Sequence, residues 1–444
     1  MKTGKVLFAL ALCAGFAVRS MEASEAKAGS TQNQDAQSSN QAVNPVVQWN
    51  KNLLVIVRTP GAQSPTIHST HSFAIMHAAI YDAVNTIDRH HKPYLIRLAR
   101  PEKNASQNAA ADAAAHEVLV ALYPSFKASL DAELLQSLAQ VPDGDDKTIG
   151  IRIGQTIADK ILALRSTDGS TSAPIPYAFG NAPGDYQSTP PNFPSQPQFT
   201  HWSRVTPFAL KQANQFRPGP PPTLTSDTYS DAFNQVKSLG ILNSTAATPD
   251  QILIGQFWNG TIQNYWNEIT QTASVAHSLT TAESARLFAL VNLSLADSVI
   301  AFYDAKYTYN FWRPVTAIRA ADTDNNPETL VDTTWLPEGG KNTAPDPSYP
   351  GAHATISASA AEVLVSFFKR DPFDFNVTSE VLPGVDRSFT SFSAAFEEAS
   401  FSRVLAGQHF SFDEKAGGRL GREVADFVVD NFLTNRERED DEDR

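Results

Sequence analysis

The chain has 444 residues, a net charge of −12, one cysteine and three methionines, with 42% hydrophobic and 18% charged residues. That length exceeds one typical core and calls for two packed units or one large helical array. The acidic balance excludes nucleic acid as a partner, so a cationic cluster here must be local, which suits a buried anion site better than a surface for a phosphate backbone.

Residues 1–23 read as a secretory signal, because Lys2 and Lys5 precede an apolar run from Val6 to Val18 that is short for a membrane span. The expected location is therefore exported, secreted or periplasmic. Cys13 lies inside this run, so a processed chain keeps no cysteine, and disulfides and cysteine-ligated metal sites are excluded. Of the methionines only Met76 is plainly in the body. Work near an oxidant that attacks thiols and thioethers would favour such scarcity, and compositional drift gives the same pattern. No stretch after Val18 reads as apolar for long enough to cross a bilayer, so no integral membrane domain is expected.

Residues 24–44 are polar and rich in Ser, Gln and Ala without periodic apolar positions, and read as a disordered leader. Helical patterns follow over 45–173, at Val46 to Val57, Phe73 to Val84, Ala109 to Leu122 and Ile149 to Leu164. Within the second, His77 and Asp82 read as core polar groups, and the adjacent His90 and His91 cannot share a helix face. Residues 174–226 form a Pro-rich wrap that includes Thr189-Pro190-Pro191 and Pro218-Gly219-Pro220-Pro221-Pro222 and cannot continue a helix. Its aromatics Tyr177, Phe193, Trp202 and Phe208 favour packing over free flexibility.

Residues 227–433 read as a C-terminal helical domain. Two helix starts carry capping signals, Thr248-Pro249-Asp250-Gln251 and Thr280 with Glu283 three residues on. The helix from about Ala282 delivers Lys306 near its far end, and Arg313 would share its face if the helix continued that far. Another helix starts at Ala352 or His353 and runs to Lys369, before Asp371-Pro372. A third approaches Arg403 and turns at Gly407, and a fourth runs from His409 to Phe432, where Gly417, Gly418 and Gly421 permit close helix contact. Residues 434–444 are a charged tail. The expected class is all-α, helical bundles with the active site in the C-terminal one.

Three fragments of this region fit together as an oxyanion pocket: Lys306 to Arg313-Pro314, Pro350-Gly351-Ala352-His353, and Ser402-Arg403 to His409. Lys306, Arg313 and Arg403 supply a point charge and two planar donor forks for the oxygens of phosphate or vanadate. The first amides of the helix at Gly351 and Ala352 add free N–H groups and the positive dipole end. His409 is the candidate to bond the central atom, because neutral imidazole serves as metal ligand and as nucleophile. Asp413, one turn later, is placed to orient that ring. His353 is the candidate acid or base, its basicity lowered by the helix start and raised by a bound anion.

The ordered set resembles the signature of the type 2 phosphatidic acid phosphatase and vanadium haloperoxidase superfamily. The likeness extends to its soluble bacterial haloperoxidase-related branch through His77 to Asn85 and the Pro-rich segment ending in Pro220-Pro221-Pro222, and covers roughly Val46 to Leu433. It implies an all-helical fold, a vanadate cofactor ligated by His409, oxygens clamped by Lys306, Arg313 and Arg403, and His353 as acid–base residue. Where the family reads Pro-Ser-Gly-His, this chain has Gly351 and Ala352 in place of Ser and Gly, which deletes a hydroxyl donor worth about 1 to 3 kcal/mol. The implied function is a vanadate-dependent haloperoxidase taking hydrogen peroxide and halide. The alternatives are a secreted phosphatase that hydrolyses a phosphate ester through a phospho-histidine, with no cofactor, and a non-catalytic relative.

Overall fold

Capping chemistry sets where the helices begin. In this computed structural model the described residues are 44–63, 68–99, 104–339 and 343–436, so the signal, nearly all of the leader and most of the charged tail lie outside them. The described residues form helices α1 (Pro45–Arg58), α2 (His68–Asp88), α3 (Gln107–Leu122), α4 (Lys127–Leu138), α5 (Asp145–Arg165), α6 (Asp227–Leu239), α7 (Pro249–Phe257), α8 (Ile262–Ala276), α9 (Thr281–Tyr309), α10 (Pro314–Arg319), α11 (Ala352–Phe368), α12 (Phe392–Leu405) and α13 (Ser411–Asn431). Both expected capping boxes form. The Gln251 amide donates to Thr248 Oγ1 at 3.2 Å and the Glu283 amide to Thr280 Oγ1 at 3.3 Å, while each acid or amide side chain reaches back to its cap's own N–H.

The class is all-α with one addition, an antiparallel hairpin of β1 (Pro372–Thr378) and β2 (Asp386–Ser391). Its alternating burial puts Phe375, Val377 and Phe389 inside and the residues between them outside. The Pro372 that closes α11 is thus the first strand residue, a position where the missing N–H costs little.

Helix α9 is the central element, packed by α2, α11 and α13, and the hydrophobic core runs from Val46 to Leu433 around it. It is the one helix among the described residues with the length and apolarity to cross a bilayer, contrary to the sequence expectation, yet 94% of its apolar window is buried inside the protein. Its apolar surface is spent on the core.

Two buried carboxylates pin the long connections. Asp82 of α2 accepts from the amides of Tyr94, Leu95 and Ile96 at 2.6 to 3.0 Å, and Asp297 of α9 from those of Phe208, Ala209 and Leu210 at 2.6 to 2.7 Å. The three donors to Asp297 belong to buried residues and would otherwise be unpaired, whereas of those to Asp82 only Tyr94 is buried. The second trio fastens the Pro-rich segment to the central helix. Trp202 and Phe208 are buried there and Tyr177 packs on Tyr186 and Tyr307, whereas Phe193 is 60% exposed and does not join them. His77 behaves as a core group: Asn50 Oδ1 lies 2.9 Å from its Nε2, its ring stacks on Phe288, and burial lowers its pKa to about 3.

Helices α11 and α13 lie in the closest contact. A Cβ at Gly417 would sit 2.3 Å from the Gly351 carbonyl oxygen, and one at Gly421 would sit 2.1 Å from that of Thr355. Only glycine permits this approach. It sets the Gly351 to His353 turn directly against the start of α13.

Candidate active site

The last turn of α9 delivers Lys306, and Asn310 in the left-handed conformation then ends the helix. Arg313 therefore does not continue the face of Lys306 but stands as the N-cap residue of α10. Gly351 caps α11, Ala352 and His353 open it, Arg403 lies in the last turn of α12, and His409 sits in the connection just before α13. Sequence positions more than a hundred residues apart meet here.

A cavity of about 460 Å³ has Arg313, Asp346, Ala352, His353, Arg403, Gln408 and His409 in its wall. Of the residues expected from the sequence, Lys306 and Gly351 stand behind that wall. The Lys306 ammonium is completely buried and gives its three protons to Asp346 Oδ1 at 3.2 Å, to the Ser348 carbonyl at 3.1 Å and to the Pro347 carbonyl. The Gly351 amide donates to the Asp413 carbonyl at 2.9 Å and so is not a free donor. A Cβ at this position would lie 2.2 Å from Glu414 Oε1, so the Glu414 side chain fills the space that a serine side chain would need.

Partner chemistry fixes the proton on His409. Arg313 Nη1 lies 3.0 Å from His409 Nε2, and because arginine only donates, that nitrogen carries the lone pair. The proton is then on Nδ1, which donates to Asp413 Oδ2 at 3.2 Å, the expected orienting contact. Asp413 is held in turn by the Ser348 hydroxyl at 2.6 Å and the Phe410 amide at 3.0 Å. Burial, then Arg313, Lys306 and Arg403, push the His409 pKa well below the usual histidine value, so the ring is neutral. Burial raises Asp413 to about 6 against the pull of its two donors.

His353 Nε2 donates to the Trp258 carbonyl at 3.1 Å, which leaves the lone pair on Nδ1. Burial and then Arg403 lower its pKa well below the ordinary value, so burial and the cations prevail in the free site. Burial also lowers Lys306 to about 8, with the Asp346 carboxylate opposing, so the amine stays protonated at neutral pH. Arg313 is nearly consumed: Nε donates to the Asp346 carbonyl at 2.9 Å, Nη1 also reaches the Gln408 carbonyl at 2.9 Å, and Nη2 bonds Asp346 Oδ1.

Arg403 is the least committed cation. Its Nη1 bonds Asn259 Oδ1 at 3.0 Å, while its Nε is buried without a partner. Gln408 Nε2 is likewise a buried donor without a partner, beside the same cavity. Sequence reasoning did not single out Gln408, although its position next to His409 was a usable signal. Buried unpaired donors are costly unless a ligand's oxygens satisfy them, and so the donor set fits a tetrahedral or bipyramidal oxyanion such as vanadate or phosphate. No group of three or more His, Cys, Asp or Glu side chains among the described residues is arranged to hold a metal cation.

Comparison with known proteins bears on the fold and on the C-terminal bundle. Residues 286–437 match the family described as the VCPO second helical-bundle domain. The vanadium chloroperoxidase of Curvularia inaequalis is 25% identical over 65% of this chain, which spans 61% of that protein's length. Among solved structures, the first bacterial vanadium-dependent iodoperoxidase superposes with a TM-score of 0.76 at 24% identity, over 89% of this chain and 98% of its own. The apo form of a bacterial vanadium-dependent chloroperoxidase gives 0.66 at 15% identity, over 84% and 95%. In fold this chain is similar to the bacterial vanadium haloperoxidases, and its C-terminal bundle matches the VCPO second helical-bundle domain.

Proposed function

We propose that the chain is a vanadate-dependent haloperoxidase-like enzyme that oxidises halide with hydrogen peroxide. The observation that carries this reading is the neutral His409 ring, with its Nε2 lone pair on the side of the cationic groups, in a wall that also holds the unpartnered Arg403 Nε. Bound vanadate would supply a Lewis-acid centre that activates peroxide toward a halide. His409 Nε2 would hold it in place of the Arg313 Nη1 contact, with Asp413 fixing the tautomer that leaves this nitrogen unprotonated. Lys306, Arg313 and Arg403 would neutralise its oxygens, the start of α11 at Ala352 would add its dipole, and His353 Nδ1 would accept and return protons. The Gly351 turn offers no hydroxyl, and Gln408 Nε2 is the donor nearest in sequence to His409 that could offset its loss.

A phosphate-ester hydrolase is the second reading, favoured by the same donor set, in which the His409 Nε2 lone pair and the unpartnered Arg403 Nε suit a phosphoryl group as they suit vanadate. There His409 Nε2 would attack phosphorus, His353 Nδ1 would take the proton of a monoanionic ester and pass it to the leaving oxygen, and water would then cleave the phospho-histidine to release phosphate. Vanadate would then only inhibit. Purified protein with and without orthovanadate, assayed for peroxide-dependent bromination beside phosphate-ester hydrolysis, separates the two. Bromination that requires vanadate supports the first, and hydrolysis blocked by vanadate supports the second.

We also propose export, on the strength of Lys2, Lys5 and the apolar run from Val6 to Val18. N-terminal sequencing of the protein from its host tests it. A mature chain still starting at Met1 contradicts it.

A further inference from the structure

We propose that Asp346 is a specificity-determining residue of the oxyanion site, an internal anion that must surrender Lys306 and Arg313 before an external one can bind. This rests on the reading of the site as an oxyanion pocket. Asp346 Oδ1 takes a proton from both Lys306 Nζ and Arg313 Nη2, and Oδ2 takes the Tyr303 hydroxyl at 3.1 Å. With its other two protons on the Pro347 and Ser348 carbonyls, Lys306 has none left for a ligand. Asp346 itself is in the cavity wall, between that ammonium and the space a ligand would take. Lys306 and Arg313 are desolvated and Asp346 is nearly so, which makes the carboxylate a strong competitor.

Two consequences follow from the arrangement. Arg403 is the cation an incoming anion meets least committed, because Asn259, a neutral group, is its hydrogen-bonded partner and the neighbouring Glu414 acts on it through charge alone. Completing the clamp then requires a ligand that replaces several directional bonds at once. A multiply charged tetrahedral oxyanion offers enough charged oxygens to do so; a single-atom halide does not. Asp346 thus keeps the cationic clamp closed to monatomic anions and lowers its affinity for the oxyanions it admits.

The test uses the full chain, titrated calorimetrically with orthovanadate and with inorganic phosphate at fixed ionic strength. Asp346→Asn, similar in shape but uncharged, is expected to bind orthovanadate roughly tenfold tighter than wild type, about 1.4 kcal/mol, and to let bromide compete. A residue that only scaffolds Lys306 and Arg313 would instead lose affinity on substitution. Equal or weaker binding by Asp346→Asn, with wild-type binding intact, overturns the proposal and leaves the site reading standing. If neither protein binds either anion, and His409→Ala is indistinguishable from both, the site reading falls and takes the proposal with it. A crystal structure of the wild-type protein with vanadate gives a second test independent of the variant. Lys306 Nζ on a vanadate oxygen with Asp346 turned away supports the proposal, and Asp346 still on Lys306 beside bound vanadate refutes it.

Discussion

The N-terminal and C-terminal halves each bury a histidine and an aspartate on or beside one helix, His77 with Asp82 in α2 and His409 with Asp413 at α13, and treat them in opposite ways. His77 lies between aromatic rings with a neutral amide as its partner, and Asp82 spends its charge on backbone amides. His409 lies in the field of three cations, with Arg313 bonded to it, Arg403 in the same cavity wall and Lys306 behind that wall, and Asp413 spends its charge on orienting the ring. Burial depresses both imidazoles. What distinguishes a working histidine from a packing one is therefore the field around it and the donors left unpaired beside it, not its depth.

The contrast breaks most sharply at the histidines themselves. His409→Ala should lower turnover by about 10³-fold or more while the protein remains folded by circular dichroism. Retained turnover would remove His409 from the chemistry. Asp413→Asn should cost about 10- to 100-fold in turnover or vanadate affinity, because the amide can present a donor to Nδ1 and favour the wrong tautomer. An unchanged vanadate Kd would mean that Ser348 and the main chain suffice to hold the ring.

Gly417→Ala should destabilise the chain by about 1 to 3 kcal/mol in denaturant unfolding, since its Cβ meets the Gly351 carbonyl oxygen, and should lower activity through the displaced His353 turn. A fully stable, fully active variant would show that the seam relaxes freely.

The effect that leaves turnover untouched lies at His77. With a folded pKa of about 3 against about 6.5 unfolded, the unfolded chain binds the extra proton between those values. Stability from this group is then full above pH 6.5 and falls by about 1.4 kcal/mol per pH unit below it. His77→Gln should flatten the fall in Tm between pH 6.5 and pH 5, with turnover per folded molecule unchanged. An identical slope in both proteins would assign the acid sensitivity elsewhere.

Most of the site was readable because its residue types and spacings are tied to chemistry. Lys306, Arg313, His353, Arg403, His409 and Asp413 do assemble, and the caps at Thr248 and Thr280 set the helices that bring them there. What escaped depends on the third dimension. Asn310 in the left-handed conformation breaks the shared face expected for Lys306 and Arg313. The loss of the Gly351 amide to Asp413, and of the Lys306 protons to the 346–348 segment, are contacts between residues some forty or more positions apart that no spacing announces. The hairpin after α11 was hidden by its own Pro372, read as a stop signal and not as a first strand residue.

Asp297 grips the main chain at Phe208, Ala209 and Leu210 and ignores what hangs from it. Evolution can therefore rewrite the smallest of those three side chains, Ala209, at little cost to the tether, but proline at any of the three deletes one of its strands. Proline placed in turn at 208, 209 and 210 should find each position intolerant, and losing this tether would leave Arg217 on Asp304 among the remaining ties between the long wrap and the very helix that carries Lys306.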